Sequence, residues 1–193
     1  DICHTRNVGW SKLHDYASFL RGQNDYTKAI EVAESLRWYY SAPGRKVDEY
    51  DLGRLYNLLG ALYRSQNKPE KAEKCYLAAI EIYECLVEKN ADAYEPALAG
   101  IYNNAGIFYI DHGQPEKADK YYSDAIEIYE RLVKKNTEAY EPDLATSYNN
   151  AGVFYKEQGQ SGKAEKYYLA AIEIQKRLVE KNAEAYEPDL ATS

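Results

Sequence analysis

The 193-residue chain contains no methionine, three phenylalanines, three histidines and three cysteines. It is also short of positive charge, with 24 Lys and Arg against 31 Asp and Glu and a formal net charge of −7. That balance argues against nucleic acid or an anionic membrane as the main partner. No apolar run approaches the ~18 residues that cross a bilayer, and no signal peptide is visible at the N-terminus. An odd cysteine count points away from a disulfide framework. Cys75 and Cys85 fall on one expected helix, roughly 15 Å apart along its axis, where a disulfide needs Cα atoms within about 7 Å. Cys3 sits in an irregular start. Reduced thiols and a cytoplasmic protein are the expectation. The histidines, His4, His14 and His112, stand in no HExxH, no Cys/His zinc spacing and no nucleophile elbow, and the chain has no glycine-rich phosphate loop. It is therefore expected to be no enzyme, to hold no metal and to use no cofactor. Alternating β-branched residues are absent, so no strands are expected.

What is present is repetition. Asn136–Gln160 reads NTEAYEPDLATSYNNAGVFYKEQGQ, and Asn90–Gln114 reads NADAYEPALAGIYNNAGIFYIDHGQ. Gly60, Gly106 and Gly152 are 46 residues apart, as are Ala72, Ala118 and Ala164. The step from Ala17 to Gly60 is shorter, 43. A period in this range marks stacked helical hairpins, each burying its apolar face against its neighbours. The expected fold is all-α, a right-handed superhelical solenoid of about four hairpins. Residues 1–9 read as an irregular segment and 10–193 as one array, with repeats at about 10–45, 51–91, 97–137 and 143–183. Glu184–Ser193 repeats Glu138–Ser147 letter for letter, so residues 189–193 are expected to begin a further repeat of a longer array.

Each repeat splits into two helices. Pro142 suits the first turn of the first helix, because its missing N–H has no intrahelical partner there. The helices are expected to stop at Asn24, Asn67, Gly113 and Gly159, residue types that adopt the left-handed conformation cheaply. Pro69, Pro115 and Ser161 open the second helices. Asn90, Asn136 and Asn182 are expected to end them in the same left-handed way, with the segment that includes Tyr140-Glu141-Pro142 turning the chain back. Small residues such as Ala151, Gly152, Ala164 and Ala171 leave room that Tyr148, Tyr155 and Tyr168 fill. Most of the 21 tyrosines thus read as packing, and Tyr94, Tyr140 and Tyr186 as clamps between repeats.

The pattern Tyr102-x2-Ala105-Gly106-x2-Tyr109, then Ala118-x3-Tyr122-x2-Ala125, resembles the tetratricopeptide repeat. Tyr56, Leu59, Gly60, Tyr63, Ala72, Tyr76 and Ala79 follow it, as do Tyr148, Ala151, Gly152, Tyr155, Ala164, Tyr168 and Ala171. Leu13, Ala17, Leu20 and Ala29 form a degenerate first copy. The usual repeat has about 34 residues. The longer period here is similar to that of kinesin light chains and their bacterial relatives, which hold short cargo peptides.

That resemblance implies that the first helix of each pair lines a concave groove. Its groove-facing positions are then Arg54, Asn57, Ala61 and Arg64; Gly100, Asn103, Asn104, Ile107 and Asp111; and Thr146, Asn149, Asn150, Val153 and Lys156. Asn57, Asn103 and Asn149 form a ladder, doubled by Asn104 and Asn150. An asparagine amide both donates and accepts, so such a ladder holds an extended peptide backbone, with specificity left to Ile107, Val153 and the tyrosines. Arg54 and Arg64 are placed to receive an acidic side chain. The expected role is a non-catalytic interaction module for a protein or peptide partner. Two alternatives stand beside it. The amides can instead pair between adjacent helices and stiffen the stack. The array can be a structural or regulatory arm of a larger protein, self-associating through its ends.

Overall fold

The computed structural model describes residues 10–44 and 48–181, all helix and short connection. Eight helices run through the described residues: α1 Trp10–Gly22, α2 Tyr26–Tyr40, α3 Glu49–Ser65, α4 Pro69–Lys89, α5 Ala91–Asp111, α6 Pro115–Lys135, α7 Thr137–Glu157 and α8 Ser161–Lys181. They form two compact units, residues 1–94 and 95–193. In the first, α1 packs on α2, α2 on α3 and α3 on α4; in the second, α6 packs on α7 and α7 on α8. The all-α repeat architecture is as expected. Cys3, His4, Asn182 and Tyr186, and the terminal segments 1–9 and 189–193, lie outside the described residues.

The turn inside each hairpin has the expected chemistry. Asn24, Asn67, Gly113 and Gly159 all take positive φ, from 52° to 69°. The residue after each of them donates its N–H five residues back: Asp25 to Leu20, Lys68 to Tyr63, Gln114 to Tyr109 and Gln160 to Tyr155, at 2.8–3.0 Å. The turn residue itself bonds three back, as Asn67 does to Arg64 at 3.0 Å. This paired arrangement satisfies the last carbonyls of a helix. Pro69 and Pro115 then start α4 and α6 at the first turn.

The connection between hairpins departs from expectation. Asn90 and Asn136 are not left-handed terminators; their φ values are −158° and −150°, extended backbone. Asn136 closes α6 through its backbone N–H to Leu132 and opens α7 through its Oδ1, which accepts from the N–H of Ala139 at 3.2 Å. Asn90 Oδ1 accepts from Ala93 in the same way, at 3.3 Å. The Tyr-Glu-Pro segment is thus the first helical turns of α5 and α7, and Pro96 and Pro142 lie inside those helices. Asparagine serves equally at either helix end, and here the N-cap preference wins.

The register is set by a glycine facing a tyrosine ring. A Cβ on Gly60, Gly106 or Gly152 would come within 2.8, 2.7 or 2.8 Å of the ring of Tyr76, Tyr122 or Tyr168. No side chain fits, so the two helices of each hairpin approach as closely as the bare backbone allows. In the first hairpin the matching positions are Ala17 and Ala33, both fully buried.

Candidate functional site

Arg54 and Asn57, one turn apart on α3, lie together in the first unit. They line a small cleft of about 150 Å³ with His14, Ser18 and Arg21 of α1. Arg54 reaches His14 at 3.3 Å and Asp15 at 3.7 Å, and its guanidinium stands 5.7 Å from the Tyr50 ring. His14 is half-buried. Burial, followed by the positive charge of Arg54, holds its pKa below the ordinary value of 6.5. The imidazole is therefore neutral at pH 7, and the cationic character of the cleft comes from Arg21 and Arg54. Sequence reasoning placed Arg54 and Asn57 in the groove but assigned no binding role to His14 or Arg21, which belong to the degenerate first repeat. Arg64 sits half-buried in the last turn of α3.

In the second unit the predicted residues divide. Asn149 and Val153 of α7 are exposed, Val153 to 40%. Asn104, Ile107 and Asn150 are half-buried, as is Gly100; Asp111, Thr146 and Lys156 are exposed. Asn103 is only 8% exposed. Its Nδ2 donates to Ser147 Oγ at 2.7 Å, and that hydroxyl donates to the Asp143 carbonyl at 2.9 Å. Its Oδ1 is buried without a protein partner. Asn103 therefore sits in the packing of α5 on α7, the stack-stiffening use of the amide, while Asn149, one period on, faces outward.

A second polar set escaped the sequence reading. Glu95 and Glu141, the acids of the Tyr-Glu-Pro segments, are buried. Arg131 donates to Glu95 at 2.6 Å, and Arg177 donates twice to Glu141, at 2.7 and 3.1 Å. Tyr129 Oη donates to the Pro96 carbonyl at 3.1 Å. Each pair spans 36 residues and ties the start of one hairpin's first helix to the far end of its second. Its signal in the sequence was the recurrence of Glu with Arg at that fixed offset. Tyrosine hydroxyls add acid contacts: Tyr63 to Glu34 at 2.5 Å, Tyr148 to Glu130 at 2.7 Å, and Tyr155 to Asp119. Burial first, then the paired carboxylate, raises the pKa of all three phenols. Among the described residues no three His, Cys, Asp or Glu side chains gather as a metal site, and no helix is long and apolar enough to cross a membrane.

Comparison with known proteins agrees with this geometry. Two family models, each described as tetratricopeptide repeat, match residues 97–177 and 53–84. Among solved structures, BtubC (BKLC) from P. vanneervenii is 25% identical over 86% of this chain, with a TM-score of 0.69. The chain spans 62% of that protein's length. Two structures of MamA share the fold, with TM-scores of 0.58 and 0.59 at 20% and 18% identity, over 92% and 93% of this chain and 76% and 85% of theirs. No curated protein matches the chain.

Proposed function

The chain belongs to the tetratricopeptide repeat proteins, whose repeats generally bind protein partners, and on that premise we propose that it holds an extended peptide segment along the first helices of its hairpins. The observation that carries this reading is the cleft between α1 and α3. There Arg54 and Asn57 stand beside Arg21, with a neutral His14 at the wall. An amide beside two guanidinium groups suits a peptide backbone next to an acidic side chain. In the second unit Asn149 and Val153 offer an amide and an apolar contact on the exposed side of α7, flanked by Asn150. Asn104 and Ile107 play the matching part on α5. Arg64 adds a cation at the end of α3. Asn103 contributes from beneath, by fixing α5 against α7 through Ser147.

The test is a peptide-display selection on the intact chain, repeated with Arg54→Ala/Asn57→Ala and with Asn149→Ala/Val153→Ala, each shown helical by circular dichroism. The expected outcome is a short acidic motif enriched on the wild type and lost on the first variant. If both variants select the same peptides as the wild type, the exposed amides are not a receptor. The array is then a structural arm.

A further inference from the structure

The cleft between α1 and α3 holds more positive charge than one carboxylate can use. His14, Ser18 and Arg21 follow one another along one face of α1, and Arg54 and Asn57 share a face of α3. Where the two faces meet, the cleft measures about 150 Å³. That is below the ~300 Å³ at which whole small-molecule sites begin. The space suits a charged head group carried by a longer ligand. Among the described residues that line it there is no acid.

Arginines elsewhere in the protein have tight acidic partners. Arg131 reaches the buried Glu95 at 2.6 Å and Arg177 reaches the buried Glu141 at 2.7 Å, the spacing of charge-assisted bonds. The contacts of Arg54 are looser. It lies 3.3 Å from His14 Nδ1 and 3.7 Å from Asp15, whose side chain is 68% exposed and does not line the cleft. A guanidinium can only donate, so the neutral imidazole accepts at Nδ1 and carries its proton on Nε2. It brings no charge of its own. No ion pair engages Arg21 among the described residues. Gly100 and Thr146 stand at the Arg54 position one and two periods on, so the later repeats do not rebuild this pair of arginines.

Two under-used guanidinium groups around one small cleft set the charge of what fits it. A carboxylate brings one charge and two acceptor oxygens, which a single guanidinium fork fills. A phosphomonoester brings nearly two charges at neutral pH and three acceptor oxygens. Arg21 and Arg54, with the Ser18 hydroxyl between them on the lining, match the phosphomonoester and exceed what the carboxylate can take up. We infer that the α1/α3 cleft takes the phosphorylated side chain of a serine or threonine in the bound peptide, with Arg21 and Arg54 sharing its charge. The assignment rests on the peptide reading above and names the acid that the cleft prefers.

The experiment measures fluorescence anisotropy of three labelled pools of short peptides on the full chain, in phosphate-free buffer at about pH 7.5. The pools have random flanks and a fixed central phosphoserine, glutamate or serine. The phosphoserine pool is expected to bind at least about tenfold more tightly than the glutamate pool, and the serine pool more weakly than either. Arg21→Ala changes an exposed side chain and is expected to remove the preference for phosphoserine over glutamate with helicity unchanged. Lys89→Ala removes one positive charge from the same unit, away from the cleft, and is expected to bind all three pools as the wild type does. Inorganic phosphate is expected to displace the phosphoserine pool only at a concentration at least about tenfold higher than unlabelled phosphoserine peptide requires. The inference is overturned if the phosphoserine and glutamate pools bind alike, if Arg21→Ala keeps the preference, if Lys89→Ala loses it equally, or if inorganic phosphate competes as well as the peptide does. Equal binding of the two acidic pools, lost in Arg54→Ala, overturns the phosphate assignment and leaves the peptide reading standing. If no pool binds, the phosphate assignment falls, and the display selection decides the peptide reading by itself.

Discussion

The two compact units use one repeat differently. In the second unit the acid of each Tyr-Glu-Pro segment is buried under an arginine, Glu95 under Arg131 and Glu141 under Arg177. In the first unit the equivalent acid, Glu49, is exposed and pairs with Lys89 at 2.5 Å, because Cys85 stands where the arginines do. A tyrosine stack is likewise complete in the second unit, where Tyr121 lies on Tyr109 and Tyr167 on Tyr155, and interrupted in the first, by Cys75. Both cysteines among the described residues thus mark places where α4 lacks a structural group that α6 has. The glycine–tyrosine contact is common to both units and changes only in the first hairpin, where both members change together to Ala17 and Ala33. The central contact of the repeat resists piecemeal change, while its polar and aromatic periphery is free to vary.

Breaking the shared contact should have the largest effect. Gly106→Val forces a branched side chain into the buried Tyr122 ring, and about 3 kcal/mol of stability should be lost in urea unfolding. Gly22→Ala meets nothing within 4 Å and should leave the midpoint unchanged or slightly raised. The salt bridges come next. Arg177→Ala leaves Glu141, 2% exposed, without its charge partner and should cost about 2 kcal/mol. Lys89→Ala removes only an exposed partner of an exposed Glu49, and its midpoint should be indistinguishable from that of the wild type. Tyr121→Cys imposes the arrangement of the first unit on the second and should cost about 1 kcal/mol of ring contact.

The smallest effect concerns pH. His14 titrates below its ordinary 6.5 in the folded protein, so the unfolded chain takes up the proton first. Stability from this group is therefore full above about pH 6.5 and declines as pH falls further. His14→Gln lacks that proton. Unfolding midpoints of the two proteins, compared between about pH 7.5 and pH 5, should move in favour of the variant as the solution becomes more acid.

The repeat, the hairpin turns and the glycine–tyrosine register were legible because each rests on local chemistry or on spacing. Left-handed turns need Asn or Gly, and a fixed period needs only counting. The hairpin-to-hairpin connection was misread for two reasons. Asn caps either end of a helix. Pro142, natural at a first turn, lies at the sixth position of α7, where its missing N–H costs one intrahelical bond. The candidate site was legible in part. Position on α3 brought out Arg54 and Asn57, but helical position alone says nothing of what the next helix lays on top. Asn103 and Asn149 share a register, yet Asn103 is buried under Ser147, a contact set by α7 and not by α5.

The single-residue junction at Asn136 has a consequence for how such a protein can change over time. One residue ends α6 and begins α7, with no spare chain between them. A residue gained or lost within α7 turns everything beyond it by about 100°, swinging the buried face toward water, and this junction has no slack to absorb the error. Across such a junction length can change safely only in whole repeats, whereas the longer connection from Tyr40 to Glu49 accommodates the 43-residue step. Around Asn136 the chain is open to edits on its surface and closed to edits in its spacing.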